Sequence, residues 1–217
     1  MVNAKKNLYD AVDVIRNRFN IPMSAPLDSV ALVEDYSNAE LYYHRFSTKG
    51  LCAAAMAGRD HSTIILDSAR SCEERNFDCA HEIVHLERHV VDYKEAFQCF
   101  NIAQSNYSFQ EWEANEGAAQ LLVPYQDFIP RFLSTLKLVE CQPDGDSVIS
   151  RLAKYYFVTE MVVDIRVGSL SYEIAQFQSG IPLECIELLS KRQRDLRGIT
   201  TPPYKAMCYL AGSTAMA

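Results

Sequence analysis

The spacing of apolar side chains predicts helices over most of the chain and strands in one short region. Near the start, Leu8, Val12 and Ile15 recur at steps of three or four residues, which is the spacing of one helix face. Prolines and capping residues divide the later apolar segments into further helices. The predicted helices cover residues 5–19, 26–33, 78–89, 109–123, 125–136, 148–157 and 159–167.

Residues 39 to 67 are instead rich in strand-forming side chains. Turn signals at Lys49-Gly50 and Gly58-Arg59-Asp60 separate predicted strands at 41–46, 51–57 and 63–67. Three short strands joined by turns predict a small antiparallel sheet. Residues 92–108 show no clear pattern, so we expect a loose connection there. The expected class is α+β, with a mostly helical remainder.

The composition is that of an ordinary globular protein, with 48% hydrophobic and 23% charged residues among 217. This length fits one domain with an appendage, which we expect at residues 1–140 and 141–217, the second being a helical bundle packed on the first. The net charge of -7 argues against a broad electrostatic hold on nucleic acid.

The N-terminus and the cysteines predict a cytoplasmic protein without a membrane partner. Residues 1–6 carry no secretory pattern, and the longest near-apolar run, 51–57, is too short to span a bilayer. The seven cysteines are odd in number, widely spaced and without a Cys-x-x-Cys pair. We therefore expect buried thiols rather than disulfides.

The segment from His81 to His85 contains the pattern His-Glu-x-x-His. Residues four apart lie on one face of a helix, so His81 and His85 can bind one metal ion from neighbouring turns. Glu82 beside them is the residue type that serves as general base in zinc peptidases. Imidazole ligands favour one zinc ion per chain, with manganese and iron as alternatives.

A catalytic zinc site usually has a third protein ligand. The continuation His-x-x-Gly-x-x-His is missing here, and His89 has the wrong offset. His89 shares a face with His85 and could support it, but we expect His89 to be solvated or to cap the helix. Glu111 on the next predicted helix fits better, because Asn115 shares its face and can accept a hydrogen bond from a ligand histidine. Glu113 is the competitor, and it should face away if Glu111 binds the metal.

Residues 75–85 and 111–124 together resemble the ImmA/IrrE family of metallopeptidases, and the resemblance extends over about 27–170. Departures are modest: Ile83-Val84 stands where the family often has Leu-Gly. The resemblance implies a zincin-like catalytic domain. It also implies a protein substrate, namely a helix-turn-helix transcriptional repressor of a mobile element or stress-response locus. The oligomeric state is left open.

The expected activity is therefore zinc-dependent endopeptidase activity, with zinc on His81, His85 and Glu111 and with Glu82 as general base. Residues 63–67 are expected to form an edge strand that pairs with the substrate. Tyr107 and His61 are the candidate oxyanion donors. The alternative function is a zinc-containing anti-repressor that binds its partner without cutting it.

A second alternative is DNA binding through a helix-turn-helix at residues 148–167. The proposed second helix carries Glu160 and Asp164, with only Arg166 basic. Because recognition helices usually carry more positive charge, direct nucleic-acid binding is not expected.

Overall fold

The computed structural model describes residues 4–35, 39–100, 108–141 and 147–201. Within these ranges the chain forms nine α-helices, one 3-10 turn at Leu183–Cys185 and four strands. In chain order the elements are α1 (Ala4–Arg18), α2 (Ser29–Asp35), β1 (Ala39–His44), β2 (Leu51–Met56), β3 (Ser62–Asp67), α3 (Cys72–Arg88), β4 (Ala96–Phe100), α4 (Phe109–Leu122), α5 (Tyr125–Cys141), α6 (Val148–Tyr156), α7 (Glu160–Ser169), α8 (Ser171–Gln178) and α9 (Lys191–Leu196). The α+β class is confirmed.

The described residues divide into two compact units. One unit is continuous in sequence and covers residues 26–122, from α2 to α4. The other takes its residues from 1–25 and 123–217, and so contains α1 and α5 to α9. The division at residue 140 that the sequence suggests stays a prediction about domains.

The sheet of the continuous unit is mixed rather than wholly antiparallel, and its strand order is β1-β3-β2-β4. β2 and β3 form the expected hairpin, whose turn requires glycine because a Cβ on Gly58 would lie 1.9 Å from the carbonyl oxygen of His61. β3 thus occupies the place next to β2, and β1 pairs in parallel with the other side of β3. The expectation that β3 is an edge strand is therefore wrong.

A fourth strand, β4, lies in the segment for which the sequence predicts a loose connection. It pairs antiparallel with the free side of β2. The burial of its side chains alternates, since Phe97 and Cys99 are more buried than Ala96 and Gln98. This period of two is a strand signal, but it is easily overlooked because the segment is only five residues long.

Helix α3 begins six residues earlier than the sequence predicts, at Cys72 rather than Asp78. Its N-terminus is closed by a capping box, in which the Ser71 hydroxyl accepts from the Glu74 N–H and the Glu74 carboxylate accepts from the Ser71 N–H. Asp78 lies inside the helix and pairs with Arg70. The longer helix gives the metal-binding motif two full turns of support on its N-terminal side.

The discontinuous unit is helical and has its own buried core, which includes Leu8, Phe128 and Tyr156. Arg166, the one basic residue of the proposed recognition helix, is fully buried and donates to the Tyr9 hydroxyl and the Val123 carbonyl oxygen. A buried arginine cannot contact DNA phosphates, so the one basic side chain of α7 is not available for that role. No helix among the described residues is both long enough and apolar enough to cross a membrane.

Candidate metal centre

Helix α3 carries the three polar side chains of the His-Glu-x-x-His motif into the interior of the continuous unit. His81 and His85 are each 1% exposed, and Glu82 between them is fully buried. Their neighbours Ile83 and Val84 are also buried. Burying three ionisable side chains costs free energy unless they find partners, so their partners decide what this cluster is.

Helix α4 brings Glu111 against both histidines, as expected. Oε1 of Glu111 lies 3.2 Å from Nε2 of His85, and Oε2 lies 3.5 Å from Nε2 of His81. The two Nε2 atoms are 3.0 Å apart. Ligand atoms around a tetrahedral zinc ion stand roughly 3.3–3.5 Å from one another, given the usual zinc–ligand bond lengths. The three residues therefore fit a zinc ion, and they form a group that can hold a metal.

Asn115 fixes the tautomer of His81. Its amide Nδ2 donates to the backbone carbonyl oxygen of Glu111 at 2.9 Å, so its Oδ1 is the atom that faces His81 Nδ1, at 3.2 Å. An amide oxygen only accepts, and Nδ1 of His81 must therefore carry the proton. Nε2 of His81 then presents a lone pair to the site, which is the state that a metal ligand requires.

Unlike the two histidines of the motif, Glu82 has a side chain with no hydrogen-bond partner among the described residues. Burial, with smaller contributions from the charges of Glu111 and Asp78, raises the pKa of Glu82 well above its usual value. The backbone N–H of Cys99 acts in the opposite direction without reaching hydrogen-bonding geometry. An unpaired buried carboxylate beside a metal site is poised to receive a proton.

The third candidate ligand remains ionised. Burial alone would raise the pKa of Glu111, but the rings of His81 and His85, when protonated, donate to it and lower it to about 2. Burial lowers the pKa of His85, against the effect of Glu111. A zinc ion would take the place of these ring protons, and two imidazole nitrogens with a carboxylate are a ligand set that suits zinc.

A cavity of about 290 Å³ opens beside the site and is lined by residues from α3, β4 and α4. Phe97 of β4 stacks on the His85 ring, with centroids 4.6 Å apart and planes 18° from parallel. Gln98 and Phe100 of the same strand also line the cavity, as does Gln110 of α4. The sequence does not predict these contributions, because they depend on the unexpected strand β4.

The competing candidates lie elsewhere. Glu113 points away from the Glu111 position, as helix geometry requires, and it pairs with Arg88 and His89. His89 is buried rather than solvated, although its backbone N–H does cap α3. His61 is exposed in the β2–β3 connection and does not line the cavity. Tyr107 lies outside the described residues.

The comparisons agree with this geometry. Residues 28–167 match the model of peptidase family M78, described as the IrrE N-terminal-like domain. The match covers more than half of the chain, and the chain belongs to this family. The resemblance noted at residues 75–85 and 111–124 is thereby confirmed, and membership in a peptidase family supports a peptidase with a protein substrate.

No curated protein matches the sequence significantly. Among solved structures, the chain is similar to a Mycobacterium tuberculosis transcriptional regulator, with a TM-score of 0.48 and 15% sequence identity. The similarity covers 76% of this chain and 47% of that chain, so this chain spans about half the length of that protein.

Proposed function

We propose that the protein is a zinc-dependent endopeptidase, with His81, His85 and Glu111 as the ligands of one zinc ion and Glu82 as the general base. The observation that carries the proposal is the closeness of the ligand atoms: the two Nε2 atoms of His81 and His85 are 3.0 Å apart, and the Glu111 carboxylate oxygens lie 3.5 and 3.2 Å from them. These atoms come from two helices that pack against each other, so the site is largely preformed.

Each side chain has a distinct task in this reaction. Zinc in this site supplies Lewis-acid stabilisation of charge on a peptide carbonyl oxygen and makes water a better nucleophile at neutral pH. Glu82 takes the proton of the attacking water and passes it to the leaving amine nitrogen. Its carboxylate lies within 4.8 Å of a ring nitrogen of His81, and its raised pKa favours holding that proton between the two steps.

The substrate is an extended segment of a protein. β4 is paired on one side only among the described strands, and four of its five residues line the cavity beside His85. Its unpaired edge can hydrogen-bond to an extended peptide. This role replaces the one that the sequence assigned to residues 63–67, because β3 is flanked on both sides.

The proposed substrate class is a cytoplasmic helix-turn-helix repressor, which the family resemblance implies. The five described cysteines that the structure places as free thiols support a reducing compartment. The rival function is a partner-binding protein that holds zinc without proteolysis. Glu82 favours catalysis, because a structural zinc site has no use for an unpaired carboxylate beside its ligands.

The test combines metal content and cleavage in four proteins: wild type, His81→Ala, Glu111→Ala and Glu82→Gln. We expect about one zinc per wild-type chain, and its loss from both alanine variants. Glu82→Gln should keep the zinc and lose cleavage of the repressor encoded beside the gene by roughly 10²–10⁴-fold. Zinc-loaded wild type that binds this repressor and leaves it intact would establish the non-proteolytic rival.

A further inference from the structure

A chain of close polar contacts leads away from the metal site on the far side of His85. Nδ1 of His85 lies 2.8 Å from Nδ1 of His89, one turn further along α3. Nε2 of His89 lies 3.2 Å from Oε2 of Glu113 on α4. Oε1 of the same carboxylate accepts from Nη2 of Arg88 at 2.8 Å. From the sequence alone, Glu113 is the competitor of Glu111 for the third ligand position, and His89 is expected to be solvated or to cap the helix.

We propose that His89 and Glu113 are positioning residues that fix the tautomer of His85 and thereby set the zinc affinity of the site. This inference rests on the proposed metal centre, and it assigns roles to two residues that bind neither metal nor substrate. The four side chains form one relay, from the metal ligand through the second histidine to the carboxylate and its arginine.

The direction of the relay follows from what each atom can donate. A carboxylate only accepts, so the His89 nitrogen that faces Glu113 carries the proton. The other nitrogen of a neutral His89 is then an acceptor, and Nδ1 of His85 must be the donor. Nε2 of His85 is left with a lone pair that points at Nε2 of His81 and at Glu111.

The relay and the aromatic ring of Phe97 constrain His85 in different ways. Phe97 stacks on the imidazole and holds its plane, whereas the bond to His89 fixes the rotation of the ring within that plane. Capping of α3 does not explain the buried side chain of His89, because capping uses only the backbone N–H of that residue, which donates to the His85 carbonyl oxygen at 2.9 Å.

Glu113→Gln tests the relay with a side chain of the same shape. Arg88 donates to the position of Oε1, so the amide oxygen of the variant should stay there and its NH₂ should face His89. His89 then becomes an acceptor at Nε2 and a donor at Nδ1, which drives the proton of His85 onto its metal-facing nitrogen. We expect the zinc dissociation constant to rise about 10–100-fold.

A second change should reverse the first. In the double variant Arg88→Leu with Glu113→Gln, no arginine holds the new amide in place. The amide can then rotate and offer its oxygen to His89, so much of the zinc affinity should return. Glu95→Gln is the matched control, since it makes the same charge change in a side chain that accepts from the backbone N–H of Val91. It should leave zinc binding unchanged.

The measurement is competition for zinc with a chelating dye, together with the absorption spectrum of the cobalt-substituted protein. His89→Asn keeps an acceptor near the Nδ1 position and should stay within a few-fold of wild type, whereas His89→Leu should lose about 10–100-fold. Equal zinc affinity and equal cobalt spectra in wild type, Glu113→Gln and His89→Leu would overturn the relay alone. A wild type that binds no zinc would overturn the metal centre itself.

Discussion

Asn115 offers a way to weaken the metal site without disturbing the fold. Its side chain lies exposed on α4, where Oδ1 accepts from His81 and Nδ2 donates to the Glu111 carbonyl oxygen. Asn115→Ala removes both bonds. The Nδ1–H of His81 then loses its protein acceptor, and the ring is free to rotate or to take the other tautomer.

Asn115→Ala should affect metal affinity and the stability of the fold differently. Loss of the hydrogen-bond partner of a ligand histidine typically costs 10–100-fold in metal affinity, which is about 1.4–2.7 kcal/mol. The effect on the fold should be small, because alanine favours the helix by roughly 0.5 kcal/mol over asparagine, which offsets part of the cost of leaving the buried Nδ1–H of His81 without an acceptor. We therefore expect weaker zinc binding in a protein that, when metal-free, melts close to the temperature of wild type.

The assay follows thermal unfolding with and without zinc, beside the same dye competition. Asn7→Ala is the matched control, since it makes the same substitution at an exposed position of α1. Asn115→Asp keeps an acceptor for His81 and should retain more affinity than the alanine variant. Zinc binding by Asn115→Ala within two-fold of wild type, in a folded protein, would refute the tautomer reasoning for His81.

Two further predictions concern buried charges outside the metal ligands. Burial raises the pKa of Asp78 to about 6, against the effect of Arg70, so its contribution to stability is present near pH 4 and is lost as the pH rises through 6. Relative to Asp78→Asn, wild type should thus lose about 2 kcal/mol of unfolding free energy between pH 4 and pH 6, as measured by urea titration. Parallel pH curves for the two proteins would contradict this. Arg166→Met should lower stability by about 3 kcal/mol or more, because it leaves the Val123 carbonyl oxygen and the Tyr9 hydroxyl without their donor, and it should change no binding to a DNA duplex.

The group of residues that could hold a metal can be predicted from the sequence, because each member depends on helix periodicity. The four-residue spacing of His81 and His85 gives a shared face whatever the rest of the fold does. The pairing of Glu111 with Asn115 follows the same rule, and the same rule separates Glu111 from Glu113. The family resemblance then supplies the relation between the two helices.

The surroundings of the ligands cannot be predicted in the same way, because they depend on contacts between distant segments. β4 has only five residues, and its pairing with β2 joins positions 40 or more residues apart. The relay through His89 requires Glu113 to reach across from a second helix, 24 residues later. A helix pattern places Glu113 on the opposite side from Glu111, but it does not reveal that this side meets the end of α3.

The order of the two units along the chain has a consequence for synthesis. α1 is made before residues 26–122, yet the partners of its buried Lys5 are Glu173 and the Ser169 carbonyl oxygen, more than 160 residues downstream. Residues 26–122 are contiguous and contain every proposed metal ligand. As the chain leaves the ribosome, this part can fold and bind the proposed metal before α7 and α8, which supply the partners of Lys5 in α1, have been made.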